Sequence, residues 1–234
     1  MDQNFPNLNA FKQHFVNRLG EVEIIRQSLF DTMIYPLAGV AQLQFFQTPQ
    51  GQGLSASPGN ANAGKALTDT NMILAAQLPA PQGFWCDGIE LQVFAGSSAV
   101  ANTFALQIPS AIPAAAALTA QAGEHDVQRI YNSGALVFTV GAKDYCREAP
   151  LVRFPPSARR EMDVTVSSNS ATATTVIKAI ATAGGRPYKL DPGVALMTGI
   201  NFGVSLQWPV IVAMQTNNAA IRCILTGWLF RAVQ

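Results

Sequence analysis

Phe202-Gly203-Val204-Ser205-Leu206-Gln207-Trp208 and Ile221-Arg222-Cys223-Ile224-Leu225-Thr226-Gly227-Trp228-Leu229-Phe230-Arg231-Ala232-Val233 decide the fold class of this 234-residue chain. In the first stretch Phe202, Val204, Leu206 and Trp208 alternate with Gly203, Ser205 and Gln207. That period of two is the mark of a strand with one face on a core. Val210 to Met214 reads as its extension, Thr216-Asn217-Asn218-Ala219 as a turn, and the second stretch as a long returning strand. Together they predict a closing β-hairpin.

Outward from this pair, Glu21 to Tyr35 and Ala41 to Gln47 also read as strands, the second with Leu43 and Phe45 on one face and Phe46 on the other. Asn71 to Leu78 and Phe84 to Phe94 flank the turn Pro79-Ala80-Pro81-Gln82-Gly83. Ile89, Leu91 and Val93 alternate with Glu90, Gln92 and Phe94. Arg129 to Phe154 centres on Ala135 to Val140 and stops at Pro155-Pro156, and Asp163 to Ser167 and Thr172 to Thr182 are β-branched runs. Gln47 to Gly64 and Gly184 to Gly193 are rich in Gly, Pro, Ser and Asn without periodicity, and read as loops. Ile112 to Ala122 fits a short helix after Pro113 or a packed loop. A count of roughly eight to ten strands predicts an all-β chain, an antiparallel β-sandwich with jelly roll the favoured topology, over residues 21–234.

Residues 1–20 are expected to form a helical arm. From Asn7 to Leu19 the apolar residues Leu8, Phe11, Phe15 and Leu19 recur at helical spacing, Phe5-Pro6 leads in, and Gly20 is placed to end the helix. Lys12, His14, Asn17 and Arg18 lie on the other face. Such a short amphipathic helix either docks on its own domain or reaches a neighbouring subunit, an inner membrane or a genome. If Phe5, Leu8, Phe11, Phe15 and Leu19 form an intersubunit contact, deleting residues 1–20 impairs assembly more than folding.

Only 12% of residues are Asp, Glu, Lys or Arg, against roughly 25% in an ordinary soluble domain. Interface cores are depleted in charge, so this poverty points to large areas that face other protein. The formal net charge of +1 encodes no global attraction to nucleic acid or anionic membrane. Cys86, Cys146 and Cys223 are odd in number, widely spaced and without a CxxC pair, and read as small buried hydrophobes rather than a zinc site or disulfide framework. No basic segment followed by an apolar core marks a secretory signal, and no apolar run is long enough for a membrane-spanning helix. The expectation is synthesis in a cytoplasm.

Gly59-Asn60-Ala61-Asn62-Ala63-Gly64-Lys65-Ala66 matches the glycine and lysine spacing of a phosphate-binding loop. That chemistry also needs an entering strand, a departing helix and a Ser or Thr after the lysine for magnesium; here Ala66 follows, and the approach is loop. His125 in Glu124-His125-Asp126 sits in a polar connection, where exposed loop charges are the ordinary explanation. Ser205 lacks the second glycine of a nucleophile elbow and lies within a strand pattern. The expectation is no enzyme: no catalytic, metal or cofactor site and no small-molecule substrate. Trp85, Trp208 and Trp228 fall among apolar neighbours and read as core or interface rather than a sugar platform. Arg153, Arg159 and Arg160 flank Pro155-Pro156, with Glu161 and Asp163 beside them. Acid next to base reads as a salt-bridged intersubunit contact, not a phosphate track.

The closing pair, Phe202 to Pro209 with Leu225 to Gln234, resembles the small single jelly-roll capsid proteins of bacterial viruses, as does the entry Phe30-Asp31-Thr32-Met33-Ile34-Tyr35-Pro36 with Leu43-Gln44-Phe45-Phe46-Gln47-Thr48-Pro49. The resemblance implies a virion location, self-assembly into an icosahedral shell beside other virion proteins, and a terminal arm linking subunits. It is compatible with an internal membrane or genome beneath the shell and carries no catalytic residues. A jelly-roll receptor- or carbohydrate-binding module, such as a spike, is the alternative.

Overall fold

The computed structural model describes residues 5–56, 64–94, 126–157, 161–163, 178–180, 185–214 and 218–233. The elements are α1 (Leu8–Leu19), β1 (Val22–Arg26), β2 (Leu29–Tyr35), β3 (Gln42–Phe45) and β4 (Gly83–Phe94). A helix over 126–133 (α2) follows. Then come β5 (Ala135–Val140), β6 (Lys143–Glu148), a 3-10 turn (Leu151–Arg153), β7 (Glu161–Asp163), β8 (Lys178–Ile180), β9 (Tyr188–Met197), β10 (Phe202–Gln207) and β11 (Ala219–Ala232).

Every strand pairing is antiparallel. In the first sheet β11 is central, with β4 and then β9 on one flank. Its other flank takes β2 along Ala219–Leu225 and β1 along Trp228–Ala232. The second sheet runs β3-β10-β5-β6, and β7-β8 form a separate pair. The partnerships are nested in the sequence: β2 with β11, β3 with β10, β4 with β9, and β5 with β6. The two sheets share one core. Phe84, Ile89, Leu91, Leu225 and Leu229 from the first pack with Phe45, Leu136, Phe138, Val204 and Leu206 from the second, each worth about 1.5–3 kcal/mol on full burial. The architecture is a β-sandwich.

The expected closing hairpin does not form. β10 and β11 belong to different sheets, and 208–214 is not a strand. The reason lies in where its backbone bonds go: Trp208 N–H donates to Ala41 O and Met214 N–H to Leu37 O, each at 2.8 Å. Tyr35 Oη donates to Val212 O at 2.7 Å. The chain therefore crosses the end of the sandwich, bonded to the loop 36–41, before entering the other sheet. Alternation fixes which face a side chain takes but not which strand lies alongside.

Other expectations are corrected in the same way. Glu21 to Tyr35 is two strands rather than one, because the chain breaks at Gln27 and Ser28 to serve both halves of β11. Asn71 to Leu78 is a packed loop, since Asn71 spends its side chain on Phe30 N–H (2.9 Å) and Ser28 O (2.8 Å) instead of a ladder. Arg129 to Asn132 is helical, placing Ile130 in the core and Tyr131 Oη on Leu91 O at 2.7 Å. Tyr188 to Gly193, expected as loop, is the start of β9. Ile112 to Ala122 and most of Asp163 to Thr182 lie outside the described residues.

The sheet edges carry features that discourage strand addition. β6 presents Lys143, Asp144, Arg147 and Glu148, β9 holds Pro192 and Gly193, and β1 carries Glu23, ion-paired with Arg231 at 2.6 Å, and Arg26.

Candidate functional site

Helix α1 is capped by Asn7, whose Oδ1 accepts from Ala10 N–H at 2.9 Å, and ends at Gly20, whose φ of 79° suits glycine. Its apolar stripe lies on the outer face of the first sheet of its own chain. Phe11 and Phe15 are buried against Trp85, Ala195 and Phe230, and Phe5, Leu8 and Leu19 border this cluster. The Phe11 ring meets Phe230 edge-on at 4.9 Å and Phe15 at 5.0 Å. Phe11 and Phe15 are thus packed within the subunit, while Phe5, Leu8 and Leu19 stay partly exposed at the border of the cluster.

Arg153 pairs with Glu148 and sits 5.7 Å over the Tyr188 ring. Tyr188 Oη donates to Glu148 Oε1 at 3.2 Å. The group ties β6 to β9 across the open side of the sandwich. Arg159 and Arg160 lie outside the described residues, as does His125.

The Lys65 side chain is turned inward. It reaches strand β2 from the long segment 64–82, and its Nζ lies 2.6 Å from Asp31 Oδ1 with both side chains buried. Asp31 Oδ2 accepts from Phe46 N–H at 2.7 Å. Burial pushes the Asp31 carboxyl above its ordinary range, and the lysine opposes that shift. Nearby, Asp69 gathers Ser55 Oγ (2.7 Å) and Ala66 N–H (2.9 Å). Arg222 lies 5.3 Å from the Phe30 ring and 5.8 Å from the Phe94 ring, donates to Thr68 O at 2.7 Å, and has its pKa lowered by burial. The lysine and the arginine thus fasten segment 64–82 to the first sheet. Sequence alone suggested the lysine as a loop residue; its partner, 34 positions earlier, carried no local signal.

The tryptophans form no common platform. Trp85 is under α1, Trp208 is in the core with Nε1 donating to Ile130 O at 3.4 Å, and Trp228 is capped by Arg26 at 5.1 Å. Cys86, Cys146 and Cys223 are free thiols and buried. Among the described residues no cluster of three His, Cys, Asp or Glu is placed to hold a metal, and no helix is long and apolar enough to cross a membrane.

What the surface does offer is large apolar side chains on loops. At the end of the sandwich where β2 meets 208–214, residues 36–41 and 208–214 expose Leu37, Val210 (78% exposed) and Ile211. Residues 64–74 run beside β2, with Asn71 N–H donating to Phe30 O at 3.3 Å, and expose Leu67 and Ile73, each above 60%, and Leu74; Leu54 is exposed as well. Sequence reasoning marked 47–64 and the closing strands but missed these tips, because isolated apolar residues in a loop carry no period. On the outer face of the second sheet, Gln44, Gln47, Thr139, Asn201 and Ser205 line an open cleft of about 210 Å³. Ser205 Oγ accepts from Gln42 Nε2 at 2.8 Å, a bond between neighbouring strands. Comparison with protein families, with curated proteins and with solved structures gives no match.

Proposed function

We propose that this chain is a structural shell subunit of a bacterial virus, built on a jelly roll and assembling with copies of itself into an icosahedral virion shell. The nested pairing of β2 with β11, β3 with β10, β4 with β9 and β5 with β6 supports the jelly-roll reading: it is the pattern of one long hairpin rolled into two sheets. β7 and β8 are then an excursion between its fifth and sixth strands, β6 and β9.

The observation that carries the assembly reading is the set of exposed apolar tips on a chain so poor in charge. A free monomer ordinarily keeps charge on its surface. Assembly through these tips also suits edges that discourage strand addition. Contact between subunits is then made by these loops, with virion partners or a lipid or genome surface on the inner side of the shell.

The test is paired charge substitution. V210E with I211E in one loop, or L67E with I73E in the segment beside β2, leaves the core untouched and is expected to yield a folded chain that no longer forms large particles. Normal assembly by both double variants contradicts this use of the tips. One observation favours a second reading, a carbohydrate- or receptor-binding module: the cleft over β10 is lined by uncharged amide and hydroxyl groups suited to a polyol. Saturable glycan binding, lost in Asn201→Ala and Gln44→Ala, by a particle no larger than a trimer supports that reading instead.

A further inference from the structure

Lys65 reaches its partner where water does not. The side chains of Lys65 and Asp31 are 2% and 1% exposed. Lys65 Nζ has three positions for donation. Among the described residues it has Asp31 Oδ1 at 2.6 Å and the weak acceptor Met33 Sδ at 3.2 Å. On the carboxylate side, Phe46 N–H holds Oδ2 at 2.7 Å. An amine and a carboxyl are thus held in contact at a dry site, with a backbone N–H fixed on the oxygen that is not facing the amine.

We propose that Lys65 and Asp31 are joined by an intramolecular amide bond, formed by condensation within the folded chain. The Nζ lone pair adds to Asp31 Cγ, forming the Nζ–Cγ bond. The Cγ–Oδ1 bond then breaks, and the two hydrogens lost by the lysine ammonium leave with that oxygen as one water. Nothing is oxidised or reduced, and no co-reactant is consumed. Phe46 N–H stabilises the charge that develops on Oδ2 in the tetrahedral stage and afterwards bonds the amide carbonyl. The protons pass directly from Nζ to the departing Oδ1, which it already touches at 2.6 Å.

Two physical terms favour the step. Groups held at contact react as though at an effective concentration of about 10⁵–10⁸ M. Condensation also replaces two charges, which are costly to keep out of water, with one neutral group. Burial raises the Asp31 carboxyl, which favours the protonated acid whose hydroxyl departs. The product ties segment 64–82, the bearer of one set of apolar tips, covalently to β2. The chemistry stands independently of the shell reading.

The test is the intact mass of the full chain under denaturing, reducing conditions. The expected result is a mass lower by one water than the sum of its residues. A tryptic digest is expected to give a branched peptide in which the Asp31 segment is joined to an uncleaved Lys65. K65R, which keeps the cation, and D31A are expected at full mass. A wild-type chain at full mass after prolonged incubation in the folded state overturns the proposal and leaves an ion pair. A loss of water that persists in K65R belongs to another residue and overturns it equally.

Discussion

Cys146 shows how a single residue reports on the packing around it. Burial pushes its thiol up to about 11, with Glu148 adding to the shift and Arg153 opposing it. Cys86 and Cys223 are raised further by fuller burial. The thiolate is the reactive species, and a raised pKa keeps the thiol protonated below that value. Iodoacetamide at pH 8 is therefore expected to leave all three cysteines unmodified in the folded chain and to modify all three in urea, read by intact mass. Modification of a folded thiol would contradict the burial described. The cysteines were legible as small hydrophobes because each sits in an apolar or strand-like run. The burial of Asp31 was not legible: a lone carboxylate in Phe30-Asp31-Thr32 looks like a solvated residue until Lys65 arrives from 34 positions away. Gly227 was equally silent, although a Cβ there would run into the Trp85 carbonyl and the Phe84 ring where β4 and β11 close together.

At the scale of elements, α1 makes the clearest case. Its spacing of Leu8, Phe11, Phe15 and Leu19 announced a helix with one apolar face, because a 3.6-residue period is a property of the local chain. What covers that face is a property of the fold, and Trp85 and Phe230 are remote in sequence. Phe11→Ala is expected to cost about 3–5 kcal/mol, since the ring is enclosed by four other aromatics, Phe5, Phe15, Trp85 and Phe230. Lys12→Ala on the exposed face is expected to stay within about 0.5 kcal/mol. Urea unfolding of both variants checks this. Equal stability would mean that the helix is not held by its own sheet and is free to act elsewhere. The same division between local and remote explains the closing strands. Alternation in Phe202 to Trp208 and in Ile221 to Val233 correctly located two strands, but the partners are β3 and β5 for the first and β4, β2 and β1 for the second. Short turn-like runs suggest a hairpin only when the flanking backbone groups have no other partner, and here Leu37 and Ala41 supply one.

For the whole molecule, three features converge: nested pairing in two sheets, guarded edges, and a chain poor in charge with apolar tips on its loops. The first was partly legible, because strand alternation and loop composition fix a β-sandwich without fixing its winding. The third was legible as composition but not as location. The central claim is that these features serve self-assembly. Particle mass of the purified native protein by light scattering, with negative-stain microscopy of the same sample, tests it most directly. The account predicts closed shells or regular rings of many subunits. A small, discrete monomer or trimer that grows no larger with concentration would contradict it.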